Sequence, residues 1–389
     1  VSTDDPLAAA LAAAGLSGAQ PGRPAPGPPP SGPAIVLPEP AADEPAPAPA
    51  RWPDGAATGV GSMPGTDAAE AAAVVLGEVP LLPHLPELPA RGVGADMLGR
   101  TAALLTDIYT EVWPSGYRVT ARPGRDHRRG VDLLRVDVDA FDSACDPVRP
   151  AWVKVQAAGP WTLSAGIELR TGHRVLTDRG AVREFAASLT EGLRGHLAEV
   201  ATRTGAAVLL QLDEPTLPAV LAGQLPTPSG YGTVPAVPEP DVQELLRELI
   251  ADLGVPVVVH CCAARPPVRL LADVGAAALG IDATLPPLAG DTAEPALLDA
   301  LGEVWDAGTP LLLGVVPSRA PARRLTYREP VRLAFDLADR LGFDRTRLPA
   351  LAVPTPTCGL AGADPGWARR ALTLARDVAD AFVDPPEED

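Results

Sequence analysis

Cysteine is scarce in this chain: four among 389 residues, with only five histidines beside them. Four thiols over that length do not build the disulfide framework of a small secreted scaffold, and they point to a reduced, cytoplasmic setting. Long apolar runs are missing too. None approaches the roughly 20 residues that a bilayer-crossing helix needs, so no membrane span is expected. Ala8 to Gly15 has the apolarity of a signal-peptide core, but Asp4 and Asp5 stand where Lys or Arg would precede one. Positive charge is in deficit. The 32 Lys and Arg against 49 Asp and Glu leave a formal charge of −17, which argues against nucleic acid or anionic membrane as the main partner. A Gly-rich phosphate loop after the first predicted strand is also lacking, which disfavours a doubly wound nucleotide-binding sheet.

Proline, by contrast, crowds the start. Thirteen of the first fifty residues are proline, ending in Glu44-Pro-Ala-Pro-Ala-Pro-Ala50. Such a segment cannot bury enough apolar surface to offset its ordering entropy, so residues 1–50 are expected to be a disordered Pro/Ala-rich tail. The remainder, 51–389, has ample material for a core in a chain that is 46% hydrophobic.

From Arg51 onward two kinds of segment alternate. Short apolar runs occur at 57–61, 80–85, 153–157, 207–212, 255–259, 277–281, 310–316 and 348–353. Between most of them lie stretches with helical spacing, such as 178–203, where Val182, Phe185, Leu189, Leu193 and Leu197 share one face. Eight such alternations predict an α/β fold, a single (β/α)8 TIM barrel. Residues 100–152 interrupt the pattern, and there 117–121 and 133–138 read as a hairpin-like excursion.

In a barrel of this kind the chemistry sits where strands end, because the loops converge there. The ends carry Gly61-Ser62, Glu87, Asp213-Glu214, His260-Cys261-Cys262, Asp282 and Cys358. On an extended segment residues i and i+2 point the same way, so His260 and Cys262 face one point while Cys261 faces another. His260, Cys262 and Cys358, with Asp282 as a possible fourth, make a ligand set that suits Zn²⁺ better than magnesium or calcium. The competing reading of each cysteine is a small hydrophobe in the core, and of Asp282 a helix cap or loop carboxylate. Glu214 also has two readings: a group beside Asp213 for a substrate ammonium, or the cap of a turn before Pro215.

These residues, in this order, resemble the catalytic barrel of the cobalamin-independent methionine synthase family. Thr58-Gly-Val-Gly-Ser-Met-Pro64 is similar to the family's first-strand segment, and the resemblance implies that Gly61 and Ser62 hold the amino-acid end of homocysteine. Gln211-Leu-Asp-Glu-Pro215 is similar to the motif whose aspartate, here Asp213, grips the substrate ammonium. Glu87 matches a substrate-binding glutamate, and Trp113 has two readings, a platform for a pterin ring or a packing residue. His260-x-Cys262 and Cys358-Gly-Leu360 resemble the zinc motifs, whose glutamate stands here as Asp282, one methylene shorter. The basic residues that follow the family's Cys-Gly-Leu are absent from Cys358-Gly-Leu-Ala-Gly-Ala-Asp364. The resemblance implies a zinc-dependent methyltransferase that activates homocysteine for methyl transfer from a methylated folate. Corrinoid-linked methyltransferases have a similar barrel, so a methylcorrinoid donor is the alternative. A barrel that binds zinc or a thiol without turnover is the reading from another class.

Overall fold

Residues 51–228, 230–286, 288 and 293–385 are described by the computed structural model. The tail expected over 1–50 lies outside them. Among the described residues the strands are β1 (Tyr109–Trp113), β2 (Gly116–Thr120), β3 (Trp152–Ala158), β4 (Ile167–Glu168), β5 (Ala207–Asp213), β6 (Val257–Cys261), β7 (Ala278–Asp282), β8 (Leu311–Val316) and β9 (Ala352–Pro356). Six of them, β3-β5-β6-β7-β8-β9, pair in parallel as neighbours and form a half-barrel with helices between successive strands.

The first two predicted strands do not join that sheet as strands, so six of the eight expected strands form the parallel sheet. Their contacts are isolated. Glu87 N donates to Gly61 O at 3.2 Å, Leu85 N to Lys154 O at 2.8 Å, and Thr58 N to Pro354 O at 3.3 Å. Single parallel bridges pair Ser62 with Glu87 and His84 with Lys154. Pro80, Pro83 and Pro86 explain much of this, since each removes an amide donor that a ladder would use.

The expectation for residues 133–138 is corrected. They lie inside the helix Arg125–Val148, whose buried residues His127, Gly130, Val138, Phe141 and Cys145 recur at helical spacing. Only β1 and β2 form the hairpin, with Trp113 opposite Gly116, and β2 then pairs with β4. The helix expected at 178–203 runs Arg179–Thr204. Asp178 caps its first turn by accepting from Gly180 N and Ala181 N, and Gly205 ends it at φ +68°.

Period two along the strands divides the core. Val257, Val259, Cys261, Leu279, Ile281, Leu311 and Leu313 join the large cluster under the helices. The residues between them, Val258, Ala278 and Leu312, join Trp152, Leu209 and Val353 in a smaller cluster on the inner face. Further along that face the side chains turn polar: Lys154 and Gln156 on β3, Gln211 and Asp213 on β5, His260 on β6. An apolar floor therefore rises into a polar layer at the strand ends.

Candidate active site

Register builds the centre of the site. Asp213 pairs with His260 across β5 and β6, so both side chains project to the same face, and His260 Nδ1 lies 2.7 Å from Asp213 Oδ1. The residue opposite His260 on β7 is Gly280. A Cβ there would sit 2.9 Å from the imidazole Cδ2, so glycine leaves room for the ring. Beyond the end of β6, Cys262 meets Cys358 from the loop after β9. The two sulfurs share a hydrogen bond, which holds the Cys358 thiol down at about 6 and pushes that of Cys262 up. His260 adds to the stabilisation of a Cys358 thiolate. Cys261 is fully buried in the helix-side core, as strand alternation requires.

Asp282 ends β7 near His260. Its Oδ1 accepts from Thr284 N at 2.9 Å and from Thr284 Oγ1 at 2.6 Å. Burial raises its carboxyl, while these bonds and His260 act the other way.

A second wall comes from the two bridging segments. Glu87 is 7% exposed and lies 3.7 Å from Arg100 Nε. Burial pushes its carboxyl up to about 7; Arg100 opposes that and the nearby Asp213 adds to it. Ser62 pairs with Glu87 and accepts Leu360 N on its carbonyl at 2.8 Å. Gly359 makes that approach feasible, because a Cβ on it would fall 2.1 Å from Ser62 Oγ. The Cys358-Gly-Leu360 loop is thereby seated on Gly61-Ser62, although 296 residues separate Ser62 from Cys358.

Glu214 and Trp113 stand apart from this group. The Glu214 side chain is fully buried and spans the start of the helix Pro160–Gly166. Its oxygens accept from Trp161 N at 2.9 Å, Thr162 N at 2.7 Å and Thr162 Oγ1 at 2.7 Å. That is a capping carboxylate, pushed up to about 7 by burial. Trp113 is half exposed on the hairpin, with the Arg118 guanidinium 4.3 Å from its ring centroid. His84 is buried and accepts from Gly59 N through Nδ1 at 3.2 Å; burial and the Lys154 charge hold its pKa well below the usual range.

Sequence reasoning missed the layer beneath. Lys154 is the only lysine in the chain and is fully buried. Its Nζ donates to Gln211 Oε1 at 2.8 Å, Val60 O at 3.0 Å and Gln156 Oε1 at 3.3 Å. A lone lysine inside a largely apolar strand, two residues before Gln156, was the available signal.

The donors have the chemistry for a thiophilic cation: two thiols in contact, and an imidazole whose Nδ1 is held by a carboxylate, which leaves Nε2 for a metal. The arrangement is not a closed cage, since among the described residues no group of three or more His, Cys, Asp and Glu side chains is placed to hold a metal ion.

The family described as "Cobalamin-independent synthase, Catalytic domain" matches residues 55–381. The B12-independent methionine synthase of Shewanella sp. W3-18-1, solved in complex with selenomethionine, is similar in fold. The TM-score is 0.54 at 12% identity, over 84% of this chain and 97% of that one. A methyltransferase from Methanosarcina mazei superposes with a TM-score of 0.48 at 16% identity, over 79% of this chain and 84% of that one. No curated protein matches.

Proposed function

The chain belongs to the cobalamin-independent synthase family, over its catalytic domain, and from that premise we propose that it methylates the thiol of homocysteine to give methionine. The observation that carries this reading is the Asp213–His260 contact beside the touching Cys262 and Cys358 thiols. In this reading His260, Cys262 and Cys358, with Asp282 turned from Thr284, would hold zinc. Bound there, zinc would supply the positive charge that keeps a substrate thiol deprotonated at neutral pH.

The chain's own residues do the rest. Asp213 offers Oδ2 to the substrate ammonium, since Oδ1 is taken by His260 and Gln211. Glu87 lies on the same side, and Gly61-Ser62 line the amino-acid end. The substrate sulfur attacks the methyl carbon in line. The C–S bond forms as the bond from methyl to the folate nitrogen breaks, and the proton released by the thiol returns to that nitrogen. Among the described residues no helix is long and apolar enough to cross a membrane, and we assign the reaction to the cytoplasm.

The test is zinc content of the reduced protein together with zinc K-edge absorption. One zinc per chain, gaining one sulfur neighbour on adding homocysteine, is the expected result. Turnover with a methylated folate, against turnover with a methylcorrinoid, then identifies the donor. A second reading, thiol binding without turnover, is favoured by the engagement of Asp282 with Thr284. Homocysteine binding with neither zinc nor methyl transfer would establish it.

A further inference from the structure

The only lysine of the chain is buried beneath the site and touches none of the groups assigned so far. An ammonium group donates three hydrogen bonds and accepts none. Lys154 spends all three: on Val60 O, Gln211 Oε1 and Gln156 Oε1. Both glutamines must therefore present their oxygens to it and turn their NH₂ groups away. Gln211 Nε2 then donates to Asp213 Oδ1 at 2.7 Å and to Val60 O at 2.8 Å. Gln156 Nε2 donates to Leu85 O at 2.5 Å, and the Gln156 side chain also hydrogen-bonds Glu87. Val60 immediately precedes Gly61-Ser62, so the same ammonium ties down the third element of the substrate wall.

We propose that Lys154 is a positioning residue for the substrate's ammonium group: by fixing the amide orientation of Gln211 and Gln156, it aims Asp213 and Glu87 at that group. The inference rests on the proposed role of Asp213 in binding an amino-acid thiol. Without the lysine, each glutamine oxygen lacks its donor. A flipped Gln211 would then direct its oxygen at the Asp213 carboxylate, where it repels. The lysine stays charged at neutral pH, since Asp213 and Glu87 oppose the effect of burial and leave it at about 8.

The experiment compares binding of homocysteine with that of 4-mercaptobutanoate, the same thiol acid without the amino group, by calorimetry on the purified full chain. Wild type is expected to prefer homocysteine. In Lys154→Met the homocysteine Kd should rise about tenfold while that of the des-amino thiol stays within about twofold, because only the ammonium contact is lost. A general structural lesion would weaken both alike, and that result overturns the inference. Gln211→Leu retains the lysine and cuts its link to Asp213, so it should show the same selective loss even if Lys154→Met does not fold; an undiminished preference there also overturns it. Where both variants fold, the double variant should be no worse than the poorer single one, and additive losses would mean that the lysine does not act through Gln211. If wild type binds both thiols equally, the functional reading of Asp213 falls and the inference with it. If wild type discriminates and Lys154→Met does so equally well, only the inference falls.

Discussion

Glu87 shows what a functional side chain costs at the scale of one residue. Its carboxyl is pushed from 4.5 to about 7, first by burial and then by Asp213, with Arg100 only partly opposing. A folded-state pKa above the unfolded one means that the folded chain binds the proton more tightly. The stabilisation is complete below pH 4.5 and is lost as pH rises through 7. Glu87→Gln removes the charge at nearly constant volume. It is expected to raise stability at pH 8 by about 1–3 kcal/mol, with the gap closing by pH 5, as read from urea unfolding at both pH values. A constant gap across that range would refute the assignment. The sequence placed Glu87 at a strand end but held no sign of the Arg100 contact or of the deep burial, because both depend on the helix Met97–Leu104 lying against β3.

At the scale of elements, the loop after β9 and the segment 58–63 act as one unit. Gly359 is the point of closest approach, with Ser62 Oγ 2.1 Å from where a Cβ would stand. Gly359→Ala must therefore push the two segments apart. The expected cost is about 1–3 kcal/mol, together with weaker homocysteine binding as Ser62 and Cys358 separate. Thermal melts and calorimetric titration measure the two effects, and an unchanged Kd would show that the loop and Ser62 are not coupled. The Cys-Gly-Leu motif was legible in the sequence. Its glycine's steric role was not, since the partner lies almost 300 residues away.

At the scale of the whole molecule, every assigned group lies between Arg51 and the end of the helix Pro365–Val383. The composition of residues 1–50 predicts no contribution to the core. A chain beginning at Arg51 is therefore expected to melt within about 2 °C of the full chain and to bind homocysteine equally well. A larger drop in either would assign the tail a structural or binding role.

Taken alone, the sequence determined the alternation of apolar runs and helices, the opposite facing of His260 and Cys261 on one strand, and the order of motifs that places the chain in its family. All of these are local spacings, and local spacing reports which way a side chain points. Tertiary structure decided the rest. The prolines between 80 and 86 kept a predicted strand out of the ladder. The capping bonds of Glu214 depend on Trp161 and Thr162, more than fifty residues earlier. The lysine network joins Lys154 to Gln211 and Val60, 57 and 94 residues away. Which polar group meets which depends on the register between distant strands, and that register is set only when the half-barrel assembles around its core.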